Sequence, residues 1–118
     1  MTSYGLPRFC RLHLKNDFKA VIQGGIKLQQ NGVAFWWRPG PDAKGPVRFA
    51  VVVSRKLGKA VVRNRAKRLL REAFRLNREN IKPGTDIIVS PRNSENLTSA
   101  AHAADIFTAL CGKAGLMR

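Results

Sequence analysis

Ten cations fall between residues 55 and 78: Arg55, Lys56, Lys59, Arg63, Arg65, Lys67, Arg68, Arg71, Arg75 and Arg78. Glu72 is the one acid among them, so the segment carries +9. Asn64, Arg68, Arg71, Arg75 and Arg78 advance by 4, 3, 4 and 3, the step that lines one face of a helix, with Arg63 and Lys67 beside it. Like charges at these spacings cost an isolated helix roughly 0.2–0.5 kcal/mol per pair, and nearly all the acidic partners that would offset the cost are missing. A merely solvated face usually mixes signs. Guanidinium forks match phosphate oxygens two bonds at a time, so the chemistry this face can do is to hold a polyanion.

Bond-breaking chemistry has no comparable support. His13 and His102 are the only imidazoles; one stands in an N-terminal arm beside Arg11, the other among alanines. Asp17, Asp42, Glu72, Glu79, Asp86, Glu95 and Asp105 are scattered singly, with no pair spaced to hold a metal ion. Gly24-Gly25 and Gly58 fit neither nucleotide-binding fingerprint. Cys10 and Cys111 lack ligand spacing and read as reduced thiols, Cys111 packed on a helix. No catalytic residue, metal site or bound cofactor is expected in the chain itself.

The elements that must present the basic face can be read from periodicity. Val62, Ala66, Leu69, Ala73 and Leu76 form an apolar stripe opposite the arginines, widened by Leu70 and Phe74, and predict a helix over 60–77. Before it, Phe18, Val21 and Ile22 predict a two-turn helix capped at Asn16 or Asp17 and ended by Gly24-Gly25. Residues 27–38 read as a strand, with Val33, Phe35 and Trp37 on one face and Ala34 and Trp36 on the other. Residues 38–46, rich in Pro and Gly, read as a loop. A second strand over 47–54 is expected to pair antiparallel with the first; its run Phe49–Val53 suits a strand covered on both faces. Thr85–Ser90 reads as a short buried strand, and 98–111 as a last helix, apolar at Ala100, Ala104, Phe107 and Cys111. The order is that of an α+β sandwich.

The whole chain agrees with this reading. At 118 residues it suits one domain, 1–118, with an irregular, flexible arm over 1–12. Its 22 Lys+Arg against 7 Asp+Glu give +15, a self-repulsion best explained by a nucleic acid partner. Its longest apolar run, Phe49–Val53, is far too short to span a membrane, and the N-terminus lacks the apolar stretch of a signal peptide. A cytoplasmic protein is expected.

The stretch from Ser54 to Arg75, with Lys56-Leu57-Gly58-Lys59-Ala60-Val61 leading into Arg63-Asn64-Arg65, closely resembles the signature of the bacterial ribonuclease P protein subunit. Arg11-Leu12 with Asn16-Asp17-Phe18 matches that family's first helix, and Phe49–Ser54 and Asp86–Val89 stand where its later strands do. The resemblance implies an α-β-β-β-α-β-α two-layer sandwich of the ribosomal protein S5 domain 2-like kind. It also implies a left-handed crossover, where topology alone favours the right-handed form.

The resemblance further implies an accessory subunit of the ribonucleoprotein endonuclease that removes the 5′ leader from precursor tRNA. Catalysis then belongs to the RNA subunit and its Mg²⁺, with one protein per RNA. Carried over by position, the surface for the catalytic RNA is Lys56, Lys59, Arg63, Asn64, Arg65, Lys67, Arg68 and Arg71. The cleft for the single-stranded leader takes Phe18, Ile22 and Trp36, with Lys15 close by. Ile22 stands where the family often has Phe. Read without the resemblance, Phe18 is as well suited to the core, and one of the two Trp faces must meet solvent, RNA or a helix. The competing readings are a ribosomal-type RNA scaffold and a DNA-binding regulator. The second lacks a helix-turn partner and a dimerisation stripe.

Overall fold

A computed structural model describes residue 12, residues 15–93 and residues 97–118, with Lys15 described in its backbone alone. The chain runs α1 (Lys15–Gly24), β1 (Ile26–Gln30), β2 (Val33–Pro39), β3 (Arg48–Val51), α2 (Ala60–Asn77), β4 (Thr85–Pro91) and α3 (Ala100–Lys113). The α+β order is the expected one, and α2 covers the residues its periodicity predicts. Most of the arm, Cys10 and His13 lie outside the described residues.

The four strands stand in the order β1-β2-β4-β3. Residues 26–39 are a hairpin, not one strand. Asn31 (φ 49°) and Gly32 (φ 77°) take the left-handed backbone that a tight two-residue turn requires, and Gln30 pairs with Val33 across it. β2 continues through Arg38 and Pro39, opposite Asp86 and Thr85, so the Pro-rich loop begins two residues later than expected.

The pairing of β3 also differs from expectation. It runs parallel to β4, Phe49 opposite Ile87, and does not touch β2. All seven residues of β4 are buried, and it takes the place between the other two. The doubly covered strand is therefore β4. β3 is an edge: it stops at Val51, and Val52 is 37% exposed. The Val52 N–H points to Val89 of β4, so the odd-numbered carbonyls of β3 face outward; that of Phe49 accepts from the Leu12 N–H at 2.9 Å.

The faces of β2 divide as alternation predicts. Val33, Phe35 and Trp37 join Phe49, Ile87 and Val89 in the main core under α2 and α3. There the Phe49 and Phe74 rings stack at 4.5 Å, and Phe107 meets both edge-on. α2 contributes Ala66, Leu69, Leu70, Ala73 and Phe74, whereas Leu76, placed in the stripe by spacing, is 60% exposed on its flank. α3 buries Ala103, Ile106, Phe107, Leu110 and Cys111; Ala100 is exposed, and the buried stripe runs one residue out of phase with the expected one over its first turns. α1 lies on the reverse face, over a smaller cluster of Leu12, Val21 and Ile88. The two-layer sandwich of sheet and α2/α3 thus gains a partial third layer. Gly25 makes this layer possible, because a Cβ there would stand 2.6 Å from the Trp37 carbonyl oxygen.

Candidate nucleic-acid interface

The sheet separates two surfaces. On one side the outer face of α2 carries the cations; on the other, α1 packs against the reverse face of the sheet.

The approach to α2 is a single 3-10 turn, Arg55–Leu57, capped by Ser54, whose hydroxyl accepts from the Lys56 N–H at 3.2 Å. Lys56, Lys59, Asn64, Arg65 and Arg68 are exposed, and Arg63, Lys67 and Arg71 are half-buried. Two of the cations on this helix have partners within the fold. Arg75 forms a two-bond pair with Glu72 at 2.6 and 2.9 Å, and the Arg75 hydrogen bonds hold the Glu72 carboxyl below its ordinary pKa. Arg65 donates to the carbonyls of Leu97 (3.1 Å) and Thr98 (2.7 Å), just ahead of α3. The Arg63 Nε is buried without a hydrogen-bond partner.

On the α1 side, Phe18 and Trp36 are partly buried and rest on the Leu12/Val21/Ile88 cluster, with the small Ala50 beside them. Ile22 stands at the rim, 37% exposed, because Val21 takes the inward position on that turn. Trp36 has two cations near its ring, Lys27 Nζ at 5.4 Å and Arg92 Cζ at 5.8 Å from the centroid. Lys27 is its partner across the β1–β2 ladder, and Arg92 follows β4. Neither was picked out by sequence reasoning. Lys27 was within reach of it once the Asn31-Gly32 turn fixes the register, whereas Arg92 reaches Trp36 only through the β2–β4 pairing.

α1 is tied to the sheet ionically. Arg48 donates from Nε and Nη2 to both carboxylate oxygens of Asp86 (2.8 and 2.7 Å) and from Nη1 to Asp17 of α1 (3.0 Å). The Asp86 bonds hold the Arg48 pKa above its ordinary value.

Among the described residues no three His, Cys, Asp or Glu side chains come together as a metal would need, and no helix is long and apolar enough to cross a membrane. His102 meets the Thr98 hydroxyl at the start of α3, and the buried Cys111 thiol is pushed up to about 12 by desolvation. The geometry therefore offers two polyanion surfaces: a cationic helix, and a partly open aromatic pair beside α1 with exposed cations over the Trp36 ring.

Known proteins share this fold. The family model described as Ribonuclease P matches residues 6–115. The ribonuclease P protein component of Desulfovibrio desulfuricans is 40% identical over 88 residues, 75% of this chain and 68% of the relative. That of Thermotoga maritima is 38% identical over 99 residues, covering 83% and 80%. The solved RNase P protein of Thermotoga maritima superposes with a TM-score of 0.77 at 34% identity over 87% of this chain and 96% of that one. The Staphylococcus aureus RNase P protein, at 24% identity and a TM-score of 0.80, shares the fold over 92% of this chain and 98% of its own.

Proposed function

Because this chain belongs to the ribonuclease P protein family, we propose that it docks on the catalytic RNA through α2 and grips the 5′ leader of precursor tRNA in the groove behind the sheet. The single observation that carries this reading is the pairing of two different surfaces on opposite faces of one sheet. A charged helix suits the phosphates of folded RNA. Partly open aromatics flanked by cations suit unstacked bases of any sequence, at roughly 1–3 kcal/mol per stacked base.

In this reading Lys56, Lys59, Arg63, Asn64, Lys67, Arg68 and Arg71 meet the catalytic RNA, and Arg65 joins them from its seat against the start of α3. Phe18 and Trp36 stack leader bases, Ile22 lends aliphatic contact at the rim, and Lys27 and Arg92 neutralise leader phosphates beside Trp36. Lys15 opens the same wall. One protein serves one RNA, in the cytoplasm. Phosphodiester hydrolysis rests with the RNA and its Mg²⁺, and the chain's contribution is to hold substrate and catalyst in register.

The test is cleavage of a precursor tRNA at low magnesium by a bacterial ribonuclease P RNA, with and without this chain, beside a protein-alone control. Cleavage that needs both components supports the reading. RNA binding that leaves cleavage unchanged favours a scaffold, and cleavage by the protein alone overturns the assignment of chemistry to RNA.

A further inference from the structure

We propose that Asp17 and Arg48 act as a positioning clasp that sets the seat of α1 on the sheet, and with it the width of the RNA-gripping groove. The inference rests on the reading of that groove as a single-strand site.

α1 has little else to hold it. Its apolar seat is the small cluster of Leu12, Val21 and Ile88, while the large core lies on the other face of the sheet. Arg48 is a rigid anchor for it. Two of its nitrogens are fixed by the buried Asp86 carboxylate on the neighbouring strand, which leaves Nη1 aimed at α1. Asp17 accepts from that nitrogen in the first turn of α1, where a carboxylate is also favoured by the helix dipole.

The next residue is Phe18, and one turn on is Val21, so the clasp fixes where the Phe18 ring stands relative to Trp36. The side chains of Arg48 and Asp17 are 19% and 29% exposed, which places the clasp at the edge of the core. Its loss should therefore shift α1 without unfolding the sheet, whose own hold on Arg48 through Asp86 remains.

The experiment compares Asp17→Asn and Asp17→Glu with the parent chain, each assembled with a bacterial ribonuclease P RNA. Asp17→Asn should raise KM for leader-bearing precursor roughly two- to fivefold, the size of a partly screened ion pair. It should leave kcat, affinity for mature tRNA and affinity for the catalytic RNA as they were. Asp17→Glu should regain most of the loss. In the free protein, amide hydrogen exchange should quicken across α1 and stay unchanged in α2. An unaltered KM, or equal losses for precursor and mature tRNA, overturns the clasp. If the parent chain forms no holoenzyme, the functional reading fails separately, and unchanged α1 exchange in Asp17→Asn still overturns the clasp.

Discussion

Arg65, in the second turn of α2, donates a 2.7 Å hydrogen bond to the carbonyl of Thr98, the residue before the α3 cap Ser99. A second bond from the same guanidinium reaches the Leu97 carbonyl at 3.1 Å. The middle of the basic signature is thus also a joint between two helices. Arg68, one turn further, is exposed.

These two arginines should separate in mutational tests. Arg68→Ala is expected to weaken binding of the catalytic RNA and reduce the salt slope of log K by about one, with the melting temperature unmoved. Arg65→Ala should also lower stability by roughly 1–2 kcal/mol, because two bonds from a charged donor are lost. Salt-dependent filter binding and urea unfolding read the two effects apart.

Groove variants should act on the leader alone. Phe18→Ala and Arg92→Ala are each expected to lower affinity for leader-bearing precursor while sparing mature tRNA; stacking losses of roughly 1–3 kcal/mol correspond to about fivefold or more. Trp36→Phe should keep part of the grip, and Trp36→Ala little of it. Equal losses on both RNAs would remove the groove from the leader.

Much of this was legible in the sequence, for identifiable reasons. The ends of α2 and the two faces of β2 follow from local repeats of 3.6 and 2, which one chain segment carries by itself. The β3–β4 pairing was not legible, because partners about 38 positions apart leave no mark on local periodicity; the same holds for Arg92 beside Trp36. Leu76 fits the stripe by spacing yet is exposed, since it lies at the flank of the face that buries Ala66, Leu70, Ala73 and Phe74. Arg65 was legible as a cation at the right place, but its bonds to the 97–98 backbone were not.

Sulfate should stabilise the free protein. The cations of α2 repel one another without RNA, so an anion that binds the folded face shifts the equilibrium by mass action, about 1.4 kcal/mol at ten times its Kd. A melting temperature that stays flat as sulfate replaces chloride at constant ionic strength would contradict this.

Cys111 should confer an alkaline limit. Its thiol is held at about 12 in the fold against an ordinary value of 9.0. Below pH 9 both states keep the proton; above it only the unfolded chain releases it, so the fold loses stability up to about pH 12. Relative to Cys111→Ala, the loss should approach about 1.4 kcal/mol per pH unit in that window. Urea titrations at pH 8 and 10 on both chains measure it.

Asp86→Asn should be the costliest of these substitutions. It leaves the Arg48 guanidinium half-buried without its two-bond partner, at about 3 kcal/mol, and urea unfolding in sulfate would show the change. An effect below 1 kcal/mol would show that the pair contributes little.

The place of β4 between β2 and β3 bears on how the protein is made. A ribosome delivers β3, then the arginine-rich helix, and only afterwards the strand that joins the two halves of the sheet. Because α2 precedes β4 in the chain, it leaves the ribosome while residues 85–91 are still inside, and its apolar stripe then has no completed floor beneath it. The nascent chain therefore meets RNA as a charged, unfinished segment. Closing the sheet by inserting its central strand last, through a long-range pairing, is the step expected to set the pace of folding.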